Sequence, residues 1–305
     1  MSNQDLFIFS EAKTEIKNQD SYFEEFKNFL DSLNLSYKLE NYIFDIDNHD
    51  ISIFYFELSK FSEFKNKDIN KNTFLRKLEE YLKKGKKLIT LYSDEWINKK
   101  EIVKHRLLYH FNKIEKICNA RDCNIEEISL KTYDKFVNKY HIQGSLFTKI
   151  RLGAFYEGEL VSVMGFGKRR IALGAKKEKL HEKEYEILRF CSKGNIPGIG
   201  SKFMKYFIKT YDPEIIITYA DRRWGEGHFY KNLGFEFHSS TEPSYFYTKD
   251  FMNRKYRFSF RKDIIVSKYG GDPKLTETEN MILLGYDRIW DCGTNKYIWR
   301  KNNMI

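Results

Sequence analysis

The first 143 residues of this chain contain almost no glycine and no proline. Only one of its 17 glycines, Gly85, precedes Gly144, and all four prolines follow that position. Glycine permits left-handed turns and close approach of the backbone, and proline marks turns. The uneven distribution therefore predicts two modules joined near residues 116–143. A length of 305 residues allows two domains of ordinary size.

Long apolar runs and cysteine-rich patterns are also missing. No stretch approaches the roughly 18 apolar residues of a membrane span. The N-terminus, which reads MSNQD, lacks the basic start and apolar core of a secretory signal. Four cysteines do not form a disulfide framework, and Cys118 and Cys123 have no partner pair at zinc spacing. We expect a cytoplasmic protein with free thiols and no membrane association.

The chain has a strong excess of positive charge. Its 53 Lys and Arg residues against 43 Asp and Glu residues give a net charge of +10, which favours a polyanionic partner such as DNA. Lys, Asn, Ile, Phe and Tyr are typical of AT-rich codons, so part of the lysine excess reflects base composition. A hydrophobic fraction of 41% excludes disorder for most of the chain.

Hydrophobic periodicity predicts a small α/β module over residues 1–116. Residues 42–47 and 50–57 form two strands, residues 72–84 a helix closed by Gly85, residues 87–92 a strand, and residues 97–114 a long basic helix.

The sequence of residues 117–249 predicts a second module, which consists of a mixed sheet and helices. A hairpin over residues 150–166 is followed by a strand, a glycine loop, a helix, another strand and a short helix over residues 226–233. We expect residues 250–305 to form a basic extension that packs on this module and ends in a hairpin between residues 290 and 299. The fold class is thus α/β, of the α+β kind.

The glycine loop is the strongest functional pattern. It reads NIPGIGSK over residues 195–202, between a strand and a helix. Glycines in such a loop let successive backbone N–H groups point inward, and the helix start adds the positive end of its dipole. Asn195, Gly198, Gly200 and Ser201 are therefore candidates for binding a pyrophosphate.

This order of elements resembles the GNAT family of N-acetyltransferases. Those enzymes bind the pyrophosphate of acetyl-CoA at a Gln/Arg-x-x-Gly-x-Gly/Ala loop, and many carry a Tyr-x-x-x-Gly-Phe segment whose tyrosine protonates the leaving thiolate. Gly198 and Gly200 match the loop glycines, and Tyr230 matches the tyrosine. Asn195 departs from the usual Gln or Arg. The resemblance implies acetyl-CoA or a related acyl-CoA as cofactor.

A second stretch, YADRRWG over residues 219–225, follows an isoleucine-rich strand. Asp221 is a candidate base, Arg222 and Arg223 are candidates for phosphate contacts, and Trp224 is a candidate for stacking on a base. With Arg189 upstream, the stretch resembles the Mom-type DNA-modification proteins of bacteriophages, which are GNAT-related and act on adenine in DNA. The resemblance implies catalytic roles for Tyr230, Asp221 and Arg189. An alternative for Arg189 is a structural pair with Asp221.

Two further basic segments are candidates for DNA contact. One is the loop at Lys168, Arg169 and Arg170, and the other contains Arg254 and Arg257 among interleaved aromatic residues. The alternative is a solvated basic face.

Residues 88–104, with the sequence SDEW at residues 93–96, resemble phage homing endonucleases whose nuclease domain is of the very-short-patch-repair type. That resemblance continues over most of residues 22–299 and implies a phage protein acting in the infected bacterial cell. Such nucleases hold a divalent metal on acidic residues, for which Asp50 and Glu57 are the alternatives here. No Trp-His pair is present, so the module is interpreted as degenerate.

Three functions remain open from the sequence. The first is a GNAT-like transferase that modifies DNA and carries a degenerate nuclease module. The second is an active endonuclease that uses Mg²⁺. The third is a non-enzymatic DNA-binding or regulatory protein. The sequence does not give the oligomeric state.

Overall fold

A computed structural model of the protein describes residues 21–61, 70–168 and 182–301. The helices in these ranges are α1 (residues 21–32), α2 (Thr73–Lys83), α3 (Ser93–His110), α4 (Leu130–Tyr140), α5 (Ile199–Tyr211), α6 (His228–Asn232), α7 (Lys262–Tyr269) and α8 (Glu277–Leu283). The strands are β1 (Tyr37–Glu40), β2 (Ile43–Ile46), β3 (Ile51–Phe56), β4 (Lys87–Tyr92), β5 (Asn124–Glu127), β6 (Ile150–Tyr156), β7 (Glu159–Lys168), β8 (Glu184–Ser192), β9 (Ile215–Asp221), β10 (Glu236–Ser240), β11 (Tyr245–Thr248), β12 (Lys255–Tyr256), β13 (Asp287–Trp290) and β14 (Thr294–Arg300). The predicted α/β class is confirmed.

The chain forms two compact units, and each is built from separate segments. Unit 1 contains residues 1–99, 223–225 and 242–293, and unit 2 contains residues 100–222, 226–241 and 294–305. The change from one unit to the other at residue 99 falls within α3, where Lys99 has non-helical backbone angles (φ −139°, ψ 33°). The predicted extension 250–305 is thus divided, because residues 250–293 belong to unit 1 and the remainder to unit 2.

Unit 1 contains a four-stranded sheet in the order β1-β2-β3-β4 and a three-stranded sheet in the order β12-β11-β13. The first sheet begins as an antiparallel hairpin, and β3 then pairs in parallel with β4. The helix α2 packs on this sheet through Phe74, whose ring meets Phe56 edge-on at 4.8 Å. Burial of such rings contributes about 2–3 kcal/mol each, so aromatic packing stabilises this glycine-poor unit.

A cluster of buried charges joins three distant segments of unit 1. Arg223 donates two hydrogen bonds of 3.1 Å to the carboxylate of Glu95. Arg254 donates from Nε to Asp94 at 2.9 Å and lies 2.9 Å from Glu95 through its Nη2. The guanidinium of Arg254 also stacks 3.8 Å from the ring centroid of Tyr92. Because all these side chains are buried, each charge depends on its partners for compensation.

Unit 2 is a seven-stranded sheet in the order β10-β14-β9-β8-β7-β6-β5. Neighbouring strands are antiparallel except for β8 and β9, which are parallel. The helix α5 packs on one face, where Phe207 stacks on Phe166 at 3.7 Å. The helix α4 packs on the other face, where Tyr133 and Val137 meet Val163 and Cys191. Helices on both faces bury this sheet on both sides.

The predicted closing hairpin between residues 290 and 299 is wrong. The strand β13 pairs with β11 in the three-stranded sheet of unit 1, whereas β14 pairs with β9 and β10 in unit 2. Both segments do form strands. Each of them, however, pairs with strands that are distant in the sequence rather than with the other.

We expect Glu95→Gln to lower the free energy of unfolding by about 3–5 kcal/mol, because the change leaves two buried guanidinium groups short of negative charge. Urea titration of the natural protein and of the variant measures the free energy of unfolding. Glu80→Gln in the exposed Glu80–Lys84 pair of α2 is the control and should leave the stability nearly unchanged. An equally small effect of both changes would contradict the importance of the cluster.

The same carboxylate should make stability depend on pH. The two arginines hold the pKa of Glu95 at about 2, below its ordinary value of 4.5. Since the pKa is lower in the folded state, the contribution is complete above pH 4.5 and is lost as pH falls towards 2. Urea titrations across this range should show a steeper loss for the natural protein than for Glu95→Gln.

Candidate functional site

The strands β8 and β9 part after a short paired stretch, and we call the gap the fork. Only residues 184–186 of β8 pair with residues 215–217 of β9, although both strands continue for several residues. Just beyond the last pair, the hydroxyl of Thr218 donates to the carbonyl of Ile187 at 3.3 Å. Leu188 is an extra residue opposite β7, and such a bulge bends a strand.

The predicted glycine loop lies beside the fork, at the start of α5. Gly198 is the residue that caps the helix and has φ +84°, a conformation that favours glycine. Among the described residues, the backbone amides of Gly200 and Ser201 have no hydrogen-bond acceptor. A Cβ on Gly200 would lie 2.7 Å from the ring of Phe229. The loop is thus a glycine-dependent cradle with free N–H donors at a helix start, which suits an anion.

The loop is held in place by a neighbouring segment of backbone. The amide of Asn195 donates to Glu115 at 2.8 Å, and its carbonyl accepts from Ile117 at 3.0 Å. The amide of Ala120 donates to Pro197 at 3.1 Å, and Lys202 Nζ donates to the carbonyl of Ala120 at 2.8 Å. These contacts bind Asn195 through its backbone, so the shape of the loop is set without the usual Gln or Arg side chain.

A cavity of about 440 Å³ lies at the glycine loop. Residues of α3, α5 and α6 and the ends of α4 and β8 also line it. The lining residues are His105, Arg106, Tyr109, His110, Tyr140, His141, Phe190–Ser192, Gly194–Ser201, Phe229, Asn232 and Leu233. All belong to unit 2. The four predicted cofactor residues, Asn195, Gly198, Gly200 and Ser201, are therefore brought together in one cavity.

Arg106 of α3 lines the same cavity and gives it a positive charge. The neighbouring His105 has a lowered pKa because it is buried, and its Nε2 lies 2.8 Å from the carbonyl of Lys193. His105 is therefore neutral near pH 7, whereas an arginine stays charged. The sequence indicated a long basic helix here but assigned it to the first module. Its second half, Lys100–His110, lies in unit 2.

Tyr230 is close to the fork but outside the cavity lining. Burial raises the pKa of its hydroxyl, while the Thr218 side chain and the charge of Arg106 lower it in part. Its ring lies 5.2 Å from that of Phe229. Phe229 in turn stacks on Phe190 at 4.7 Å, with the rings 13° apart, and both line the cavity. Tyr230 thus carries a protonated hydroxyl, and its ring lies next to one member of the stacked pair.

Arg189 and Asp221 lie on the other face of the sheet. Asp221 is three residues beyond Thr218 on β9, and residues three apart in a strand point to opposite faces. Arg189 faces α4, because its partner Gly165 lies against Tyr133 of that helix. Nε of Arg189 donates to the carbonyl of Gly144 at 2.7 Å, and Nη1 donates to that of Leu188 at 2.7 Å. The three predicted catalytic residues are thus divided between the faces.

Two residues predicted to contact DNA are in the interior instead. The side chain of Trp224 is 3% exposed and that of Arg223 is 4% exposed, and Arg223 is paired with Glu95. Their interpretation as surface contacts is therefore corrected. Arg222 is half-buried. The local sequence gave no indication that Arg223 would pair with a carboxylate 128 residues away.

The remaining basic candidates differ in position. The side chain of Arg254 is buried in the charged cluster, so its assignment to phosphate is also corrected. Arg257 is half-exposed. Lys168 ends β7 and lies 5.1 Å from the ring centroid of Tyr185. Arg169 and Arg170 lie outside the described residues.

Asp50 and Glu57 cannot share one metal ion. They flank the six-residue strand β3 at opposite ends, a separation of about 23 Å at 3.3 Å per residue. Asp50 is exposed, while Glu57 is buried and lies 3.2 Å from Lys60. Within residues 21–61, 70–168 and 182–301, no cluster of three or more His, Cys, Asp or Glu side chains is arranged to hold a metal. The alternative metal assignment is corrected accordingly.

Three solved acetyltransferase structures are similar to this chain at low identity. One is an IAA acetyltransferase from Bacillus cereus (12% identity, 58% of this chain and 99% of that one, TM-score 0.31). Another is a Bacillus subtilis acetyltransferase in complex with CoA (12%, 58% and 98%, 0.30). A third is a GNAT family acetyltransferase from Elizabethkingia anophelis with acetyl-CoA bound (10%, 59% and 98%, 0.32). These TM-scores are too low to carry an argument about function.

No helix in the described part of the chain is long and apolar enough to cross a membrane. No curated protein sequence matches the chain, and nothing in the comparisons supports the endonuclease-like module. Residues 122–272, which contain the glycine loop, the fork and the YADRRWG stretch, match the model of the Mom protein family. This part of the chain is therefore similar to Mom proteins, as the sequence patterns indicated.

Proposed function

We propose that unit 2 transfers an acyl group from a CoA thioester to an amino group of a DNA base. The observation that carries the proposal is a cavity lined by the free-amide glycine loop and by residues 190–192 of β8, which lie beyond the point where β8 and β9 part, with Tyr230 next to that fork. The match to the Mom protein family supports DNA as the acceptor. The charge of +10 is consistent with that choice.

The residues of the loop fit the pyrophosphate of the proposed donor. The amides of Gly200 and Ser201 are free to donate, and a side chain at position 200 would collide with Phe229. Arg106 of α3 supplies a charged group in the same cavity. Together these provide directed hydrogen bonds and a full positive charge, which are what a pyrophosphate needs.

Each face of the sheet has a distinct role in the proposed reaction. A CoA thioester held by the glycine loop would supply the activated acyl group. On the α4 side, Asp221 accepts a proton from the attacking amine, and Arg189 holds the segment that contains Gly144. On the α5 side, Tyr230 donates a proton to the leaving thiolate. The raised pKa of Tyr230 keeps that proton in place near neutral pH.

One observation favours a second candidate, a DNA-binding protein without turnover. The stacked rings of Phe190 and Phe229 line the cavity, whereas Tyr230 does not. Transfer requires that the hydroxyl of Tyr230 reach the bound thioester, whereas a protein that binds DNA without turnover has no such requirement. Binding and turnover must be measured separately, since the first candidate needs both.

Calorimetry with acetyl-CoA tests the donor site. We expect Gly198→Ala to weaken binding about tenfold or more, because the residue adopts φ +84° and its new Cβ would lie 3.4 Å from Ala120. Gly158→Ala is the matched control. Gly158 also has a positive φ (+79°), sits in the turn after β6, and has open space around it.

Both glycine changes should cost about 1 kcal/mol of stability, but only the one at position 198 should affect binding. If the natural protein takes up no acetyl-CoA at millimolar concentration, the transferase proposal is wrong and the DNA-binding candidate replaces it.

Tyr230→Phe tests the proton donor. Removing the hydroxyl should lower kcat for acyl transfer to DNA about 100-fold, while the dissociation constant for acetyl-CoA stays the same. Mass spectrometry of the digested DNA measures the product. Tyr156→Phe, at the far end of β6, is the control and should retain full turnover. Equal turnover by the two variants would exclude Tyr230 as the acid.

A further inference from the structure

The three-stranded sheet of unit 1 carries a row of alternating aromatic rings and guanidinium groups. Arg257 lies 5.6 Å from the ring centroid of Phe258 and 4.7 Å from that of Tyr245. Arg288 lies 5.4 Å from the centroid of Tyr245 and 5.3 Å from that of Trp290. We call these five residues the arginine–aromatic row.

The strand register explains why the row forms. Tyr245 of β11 is opposite Trp290 of β13, and Tyr247 is opposite Arg288. Since residues two apart share a face of a strand, these four side chains lie on one face of the sheet. Tyr247, which lies next to the row, is covered by Phe260 and is buried. Within the row, Phe258 is 70% exposed and the other four residues are half-exposed.

The arginines of the row are free to bind an anion. Within the described part of the chain, neither Arg257 nor Arg288 forms an ion pair with a carboxylate, in contrast to the buried Arg223 and Arg254. Glu277 already accepts hydrogen bonds from the hydroxyls of Tyr245 at 2.9 Å and Tyr247 at 3.0 Å. Arg288 uses one donor, since its Nη1 donates to the hydroxyl of Thr278 at 3.4 Å. Stacking on the rings holds each guanidinium in position and leaves N–H donors for a ligand.

We propose that the arginine–aromatic row binds single-stranded DNA. Unpaired bases stack on the rings of Phe258 and Trp290, and the phosphates between them contact Arg257 and Arg288. A duplex hides the faces of its bases, so only a single strand uses both the rings and the charges. The choice of DNA over RNA rests on the proposed function. The proposal that the row stacks on unpaired bases does not depend on that function.

Fluorescence anisotropy with a labelled oligothymidylate tests this on the full chain, without an acyl donor. The natural protein should bind the single strand more tightly than a duplex of equal length. Phe258→Leu should weaken binding about tenfold. Arg257→Gln should weaken it as well and reduce the slope of log K against log salt by about 0.7, the value for one phosphate contact on a single strand.

Two matched variants control for general effects. Phe147→Leu removes another exposed ring (78% exposed), and Arg76→Gln removes another exposed charge from unit 1. Both should bind within twofold of the natural protein. The proposal is overturned if the row variants behave like these controls, if duplex binds as well as single strand, or if oligouridylate is preferred. Because no CoA is present, failure here leaves the transfer reaction to be judged by its own assays.

Discussion

The early parting of β8 and β9 is the constraint on which the candidate site depends. Two parallel strands that stayed paired to their ends would present a closed ladder of hydrogen bonds. Here only three residue pairs form, and Thr218 makes the last link across the gap. The bulge at Leu188 lies just past the separation, and the glycine loop follows the end of β8. The irregular part of β8 thus leads directly into residues that line the cavity.

Four arginines of unit 1 differ in burial and in the groups that they contact. Arg223 and Arg254 follow patterns that are typical of nucleic-acid contacts, yet both are used internally by Asp94 and Glu95. A buried guanidinium is costly unless it is paired, and a planar bidentate pair with a carboxylate is the geometry that suits it. Arg257 and Arg288 lie on rings rather than on carboxylates, and so they can serve an external anion.

Local patterns predicted the elements well and their partners poorly. The helix over residues 72–84, the glycine loop and the positions of Gly198 and Gly200 follow from spacing and turn chemistry, because these depend on neighbours in the sequence. The hairpin near residue 290 was predicted wrongly for the opposite reason, since β13 and β14 find their partners in different sheets. The contribution of Arg106 to the cavity was likewise invisible, because it depends on where α3 bends at Lys99.

The position of Tyr230 limits how the site can operate. Its side chain forms a hydrogen bond with that of Thr218 beside the fork, but it does not line the cavity, which is lined instead by the stacked rings of Phe190 and Phe229. Stacking of this kind is worth about 0.5–1.5 kcal/mol beyond simple burial, which is little compared with the binding energy of a large charged cofactor. Under the proposed function, a donor anchored on the glycine loop therefore has enough binding energy to displace Phe229, the ring that contacts Tyr230. The empty and the loaded protein would then differ in access to one hydroxyl rather than in fold.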